Sequence, residues 1–189
     1  MERPLKPTKE ELLAARGRAV PDVIAPNLRV LFCGINPGLY SGATGHHFAR
    51  PGNRFWPVLH RAGFTDRLLS PLEERELLKR GYGITNIVGR STANAAELSL
   101  DELQEGAEHL TKMVLKYKPR VVAVLGVEAY RKAFGRRNAT LGLQQEQIGD
   151  SAIWVLPNPS GINAHYQAKD LTELFKKLKK AAQETDALR

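Results

Sequence analysis

Two carboxamides stand where a chain could use them. Asn36 lies in Gly34-Ile35-Asn36-Pro37-Gly38, directly after the apolar run Leu28-Arg29-Val30-Leu31-Phe32-Cys33. Asn158 lies in Pro157-Asn158-Pro159-Ser160-Gly161, directly after Ile153-Trp154-Val155-Leu156. Each run reads as a buried strand, and each exit as a turn stiffened by Pro and opened by Gly. In open parallel sheets, sites gather at the C-terminal ends of strands. The two exits therefore read as loops that approach one ligand closely. A carboxamide has no basic pKa near neutrality; it can accept a hydrogen bond from water and orient it, but it is a poor general base. The chemistry open to Asn36 is positioning, unless its amide only bonds its own turn, as Asn often does. A third carboxamide, Asn86, sits at the end of the short strand expected over Gly83 to Val88.

Other chemistries find little support. The five histidines show no metal-ligand spacing, and His46-His47, being adjacent, make a poor chelate, so no metal is expected. Cys33 is the only cysteine, which rules out an intramolecular disulfide and a cysteine-ligated iron–sulfur cluster. In its strand it reads as a small core residue. The Asn36 turn lacks the Gly-Lys-Ser/Thr ending of a phosphate-binding P-loop. The dinucleotide fingerprint is also missing after the first strand, which argues against a nucleotide-cofactor protein. No cofactor is expected.

The elements that must position these residues alternate strand with helix. Thr8-Lys9-Glu10-Glu11 is a capping-box pattern that opens a short helix ending near Gly17. Pro21 and Pro26 frame an extended link. Helices are expected over Arg54 to Ala62 and Pro71 to Arg80, closed by Gly63 and Gly81. Ser99-Leu100-Asp101-Glu102 is a second capping box, before an amphipathic helix. Arg120 to Gly126 is the clearest buried strand, followed by a helix through Tyr130 and Phe134. Ile153 to Leu156 is the last strand, and Leu171, Leu174, Phe175 and Leu178 mark a final helix. This order predicts an α/β fold, a three-layer α/β/α domain around a mostly parallel central sheet. Residues 1–27 are expected to form an N-terminal helical appendage and link, and 28–189 the domain itself.

At 189 residues and 42% hydrophobic, the chain suits one domain with a full core. No apolar run approaches the roughly 20 residues of a membrane span. The opening Met1-Glu2-Arg3-Pro4-Leu5-Lys6 has no apolar core like that of a signal peptide. The expected compartment is the cytoplasm, with nucleoid association, in a bacterium, or the nucleus in a eukaryote. A formal charge of +8 favours a polyanionic partner through counterion release, though a basic, inert surface would look the same. The lysines at 176, 177, 179 and 180 read as a solvated helix face.

The pair GINPG and NPSG resembles the mismatch-specific uracil/thymine DNA glycosylases, within the uracil-DNA glycosylase superfamily. Gly42-Ala43-Thr44-Gly45-His46-His47-Phe48, Pro51-Gly52-Asn53-Arg54-Phe55-Trp56 and Gly83-Ile84-Thr85-Asn86-Ile87-Val88 match as well, in order. The resemblance implies a monofunctional glycosylase that hydrolyses the N-glycosidic bond of uracil in double-stranded DNA. Guanine would be the preferred opposite base, and other damaged or mismatched pyrimidines are further candidates. Asn36 would position water. Phe48 would stack on the extruded base, or else be an ordinary core aromatic. Asn86 and the backbone around Ile35 would read the pyrimidine edge, and Ser41 would face its 5-position. Asn158, Gly161, Ile162 and Asn163 match the intercalation loop, with Ile162 as the wedge. Ala164-His165 replaces an Arg that many relatives carry there. The implied partner is duplex DNA bearing uracil or a mismatched pyrimidine, engaged by a monomer. Two other readings remain: a uracil glycosylase indifferent to the opposite base, and an idle relative that only binds mismatched or abasic DNA.

Overall fold

The computed structural model describes residues 6–161 and 165–187. Five strands form one sheet: β1 (Val30–Gly34), β2 (Tyr82–Asn86), β3 (Val121–Leu125), β4 (Gly142–Ile148) and β5 (Ser151–Leu156), in the order β2-β1-β3-β5-β4. All pairings are parallel except β4 with β5. Among the described residues, six α-helices accompany them: α1 (Lys9–Ala14), α2 (Leu39–Thr44), α3 (Phe55–Arg61), α4 (Leu100–Tyr117), α5 (Val127–Phe134) and α6 (Ala168–Ala187). Two 3-10 segments cover Pro71–Arg80 and Ala95–Glu97.

Strand periodicity builds the layers, because alternate side chains face opposite sides of a sheet. Val30 and Phe32 of β1 and Val121, Ala123 and Leu125 of β3 join the core under α3 and α6. Leu31 and Cys33, with Val122 and Val124, join the core under α4 and α5. The first core is aromatic: Phe32 stacks on Phe175 of α6 at 6.0 Å and meets Phe55 of α3 edge-on at 5.5 Å. The expected α/β/α architecture is the observed one.

Several elements depart from expectation. β4 has no strand signature, because Gln144-Gln145-Glu146-Gln147 is polar throughout. It forms as an antiparallel edge strand with alternating burial, which needs only one apolar side. The Pro71–Arg80 segment has the expected boundaries, including a left-handed Gly81, but adopts 3-10 rather than α geometry. The Gly-rich stretch after Asn36 contains the short helix α2, ended by left-handed Gly45. The N-terminal segment packs along the β2 edge of the sheet. Val23 bridges to Ile84 on the outer side of β2 and is 1% exposed, and Ala15, Val20 and Leu28 are buried.

Candidate active site

The parallel register brings the strand ends together. Gly34 pairs with Asn86 across β1 and β2, and Leu125 pairs with Leu156 across β3 and β5. Just beyond these pairs lies a pocket of about 400 Å³, lined among others by Ile35, Asn36, Ser41, Phe48, Asn86 and Asn158. The predicted site residues on described positions, Gly161 excepted, therefore line one cavity. Gly161 follows the lining residue Ser160 in the chain, and Ile162 and Asn163 lie outside the described residues.

The Asn36 carboxamide is held in one orientation. Its Nδ2 donates to Arg90 O at 3.0 Å, to Pro37 O at 3.2 Å and to Thr92 Oγ1 at 2.8 Å. Carbonyl oxygens only accept, so the NH2 group must face them. Oδ1 is then the atom turned away, and it is an acceptor fit to hold water. The turn bond to Pro37 is thus part of this anchoring. Neither Arg90 nor Thr92 carries a sequence signal, because one acts through its backbone and the other through the hydroxyl of a buried threonine.

Asn86 is oriented by a second chain of bonds. His47 is 2% exposed, and its Nε2 lies 3.0 Å from Pro21 O. That carbonyl requires the proton on Nε2, which leaves Nδ1 as an acceptor. Asn86 Nδ2 donates to Nδ1 at 3.3 Å. Burial pushes the His47 pKa below its ordinary value, against the opposing pull of Glu74, the Pro21 carbonyl and Asp22. The neutral ring matches this pattern. Glu74 holds the turn from below: it accepts from His47 N–H at 2.8 Å and pairs with His46 Nδ1 at 3.0 Å. Gly34 gives Asn86 its room, since a Cβ there would sit 2.5 Å from Asn86 Oδ1.

Phe48 is packed on the core and also borders the cavity; its ring stacks on the core residue Phe55 at 4.1 Å. Its φ of 52° is left-handed, a conformation uncommon outside glycine. Ser41 is 6% exposed, and its Oγ accepts from Ala49 N–H at 3.2 Å. Asn158 Oδ1 accepts from Ser160 N–H at 2.9 Å, which shapes its own loop. Arg50, exposed at the pocket wall, was not singled out by the sequence.

Among the described residues lining the pocket there is no Asp or Glu. Burial pushes the Cys33 thiol strongly up, so it is no nucleophile. Among the described residues, no group of three or more His, Cys, Asp or Glu is arranged so that it could hold a metal ion. Two oriented carboxamides, Asn36 and Asn86, line this cavity beside His47, Arg50, Asn53, Asn94 and Asn158. Residues 21–182 match the family model described as the uracil DNA glycosylase superfamily. The chain belongs to the uracil DNA glycosylase superfamily. Members of this superfamily are DNA glycosylases and act on DNA. The fold is also similar to the solution NMR structure of a candidate uracil DNA glycosylase from Methanosarcina acetivorans. That match has 22% identity and a TM-score of 0.56, covering 86% of this chain and 98% of the other. Among the described residues, no helix is long and apolar enough to cross a membrane.

Proposed function

We propose that this superfamily member is a monofunctional DNA glycosylase of the mismatch-specific kind, excising uracil from duplex DNA with guanine preferred opposite. The observation that carries this reading is the locked Asn36 carboxamide, whose Oδ1 is turned away from the three acceptors of its Nδ2, at a pocket with no Asp or Glu among its described lining residues. Water held by Oδ1 adds to the sugar carbon C1′. The C1′–N1 bond breaks, and its electron pair leaves with the base. The water's proton passes to solvent, the base anion gains a proton, and an abasic site remains. Asn36 does not take the proton, so rate comes from positioning and from a leaving group that tolerates charge. Uracil suits that requirement.

The target nucleotide leaves the stack to reach the pocket. Phe48 offers a ring to the extruded base. Asn86 has one N–H committed to His47, and its Oδ1 and second N–H can meet an imide N–H and a neighbouring carbonyl, the edge that uracil presents. The backbone at Ile35 borders the same edge, and Ser41 the 5-position. Asn158, Gly161 and Asn163 flank Ile162, the wedge that fills the vacated stack.

The test is incubation with a labelled duplex containing uracil opposite guanine, followed by alkaline cleavage of abasic sites. Scission only after protein treatment is expected, and stronger than with adenine opposite. Asn36→Ala is expected to slow single-turnover excision by about a hundredfold while leaving duplex affinity near normal. No scission across a wide range of protein concentration would overturn the reading. Equal rates opposite guanine and adenine would remove the mismatch preference.

A further inference from the structure

Arg54 precedes α3 and sits half-buried beside the loop that leaves β5. Its guanidinium reaches both shoulders of that loop. Nε donates to Pro159 O at 3.3 Å, Nη2 to Ser160 O at 2.7 Å, and Nη1 to Tyr166 O. The Arg54 backbone N–H adds a bond to Pro159 O at 3.1 Å. Two residues earlier the contact continues. A Cβ on Gly161 would lie 2.7 Å from Gly52 O, so only glycine lets the two backbones touch there. The segment around Gly52 and Arg54 is thus zipped to the segment from Pro159 to Gly161 and tied across to Tyr166.

A guanidinium suits this task. It presents five N–H donors in a rigid planar fork and accepts nothing, so several carbonyls can converge on it. An ammonium has three donors on a flexible stem and cannot reproduce the fork. Three side-chain bonds to backbone carbonyls from two separate stretches fix the relative position of those stretches.

The joined segments have different duties in the proposed reaction. The stretch leading into Arg54 carries Phe48 and the His47 turn, which form the pocket wall. The stretch after β5 carries Asn158 and continues to Ile162. We propose that Arg54 is a positioning residue that yokes the base-stacking loop to the wedge loop, so that seating the extruded base and filling its gap occur as one event. This rests on the glycosylase reading with Ile162 as the wedge. Arg54 touches neither the sugar nor the base; it acts through Pro159, Ser160 and Tyr166. Because the backbone bond from Arg54 to Pro159 survives any side-chain change, its substitution loosens the yoke without detaching the loop.

The experiment measures single-turnover uracil excision from a duplex with guanine opposite and from the same strand alone. The wild type, Ile162→Ala, Arg54→Gln and Arg54→Lys are compared, with Tm recorded for each. Excision by the wild type, together with a lowered duplex-to-single-strand ratio for Ile162→Ala, establishes the underlying reading. Arg54→Gln is then expected to lower the same ratio about tenfold, the scale of a displaced positioning element. Arg54→Lys keeps the charge and protects the fold if the Gln variant fails to fold. It is expected to lower the ratio by a smaller factor. A purely structural tie would lower Tm and slow both substrates alike. An unchanged ratio in both Arg54 variants, beside a lowered ratio in Ile162→Ala, overturns the yoke alone. Wild type without excision, or Ile162→Ala with an unchanged ratio, takes down the underlying reading and the yoke with it.

Discussion

Replacing Asn36 by aspartate exchanges an NH2 group for an oxygen in a place built from acceptors. Nδ2 has three partners between 2.8 and 3.2 Å. The Thr92 hydroxyl can turn and donate to a carboxylate, but the Arg90 and Pro37 carbonyls cannot. An ionised side chain in this orientation loses two hydrogen bonds and faces two oxygens. A polar group left unsatisfied when buried costs about 1–3 kcal/mol. Asn36 is only half-buried, so about 2 kcal/mol for the pair of lost bonds is a fitting total. At about 1.36 kcal/mol per pKa unit, the introduced carboxyl moves from about 3.9 to about 5.4. The neutral acid is the form that mimics Asn36, since its O–H donates inward and its carbonyl oxygen is left for water.

Single-turnover excision by Asn36→Asp, divided by that of the wild type at each pH, isolates this effect from other titrations. The ratio is expected to be highest below about pH 5 and to fall about tenfold per unit above the introduced pKa. A ratio that rises with pH and reaches or passes one would refute the reasoning. It would mean that a carboxylate sits comfortably against those carbonyls and acts as a base, so their contacts do not fix the group.

Three other outcomes are expected. Gly34→Ala drives a Cβ toward Asn86 Oδ1; the carboxamide can swing away, so Tm should hold while excision falls about tenfold or more, and full excision would show that the Asn86 placement is idle. His47 titrates lower folded than unfolded, so its contribution is present above about pH 6.5 and lost as pH falls toward its folded value. Tm should therefore drop as pH falls below about 6.5, and His47→Gln should flatten that slope. Duplex affinity should fall steeply with salt, because a chain of net charge +8 releases condensed ions on meeting phosphates, and a flat response would argue against DNA as the main partner.

The sequence carries what depends on local pattern. β1, β3 and β5 are apolar runs, α4 and α6 have a helical period, and Ser99 and Thr8 cap as their spacing predicts. β4 is invisible because an edge strand tolerates a polar face, and α2 because Gly42, Ala43 and Thr44 read as loop. The capping residues around Pro71–Arg80 mark where the segment begins and ends. They do not distinguish an i→i+3 from an i→i+4 ladder. Within the site, Asn36, Phe48 and Asn86 stand out by their place in ordered motifs. The groups that orient them do not. Arg90, Pro37 and Pro21 contribute carbonyl oxygens, which every residue has, and Thr92, His47 and Arg54 matter through contacts that only the folded chain creates.

Both carboxamides are oriented by acceptors that belong to other parts of the chain. Asn36 is held by the loop beyond β2, and Asn86 by His47, which the N-terminal segment fixes through Pro21 O. A free carboxamide offers its oxygen and its nitrogen about equally, and only one end is useful at each position. Locking the orientation during folding removes that choice before substrate arrives. In the proposed reaction, with no Asp or Glu among the described pocket residues, this matters more than usual: nothing later compensates for water held in the wrong place. The same logic explains why residues 19–25, remote from the pocket in sequence, pack against β2 and its exit. They supply the carbonyl that fixes a tautomer, and the tautomer fixes which way the Asn86 carboxamide is turned.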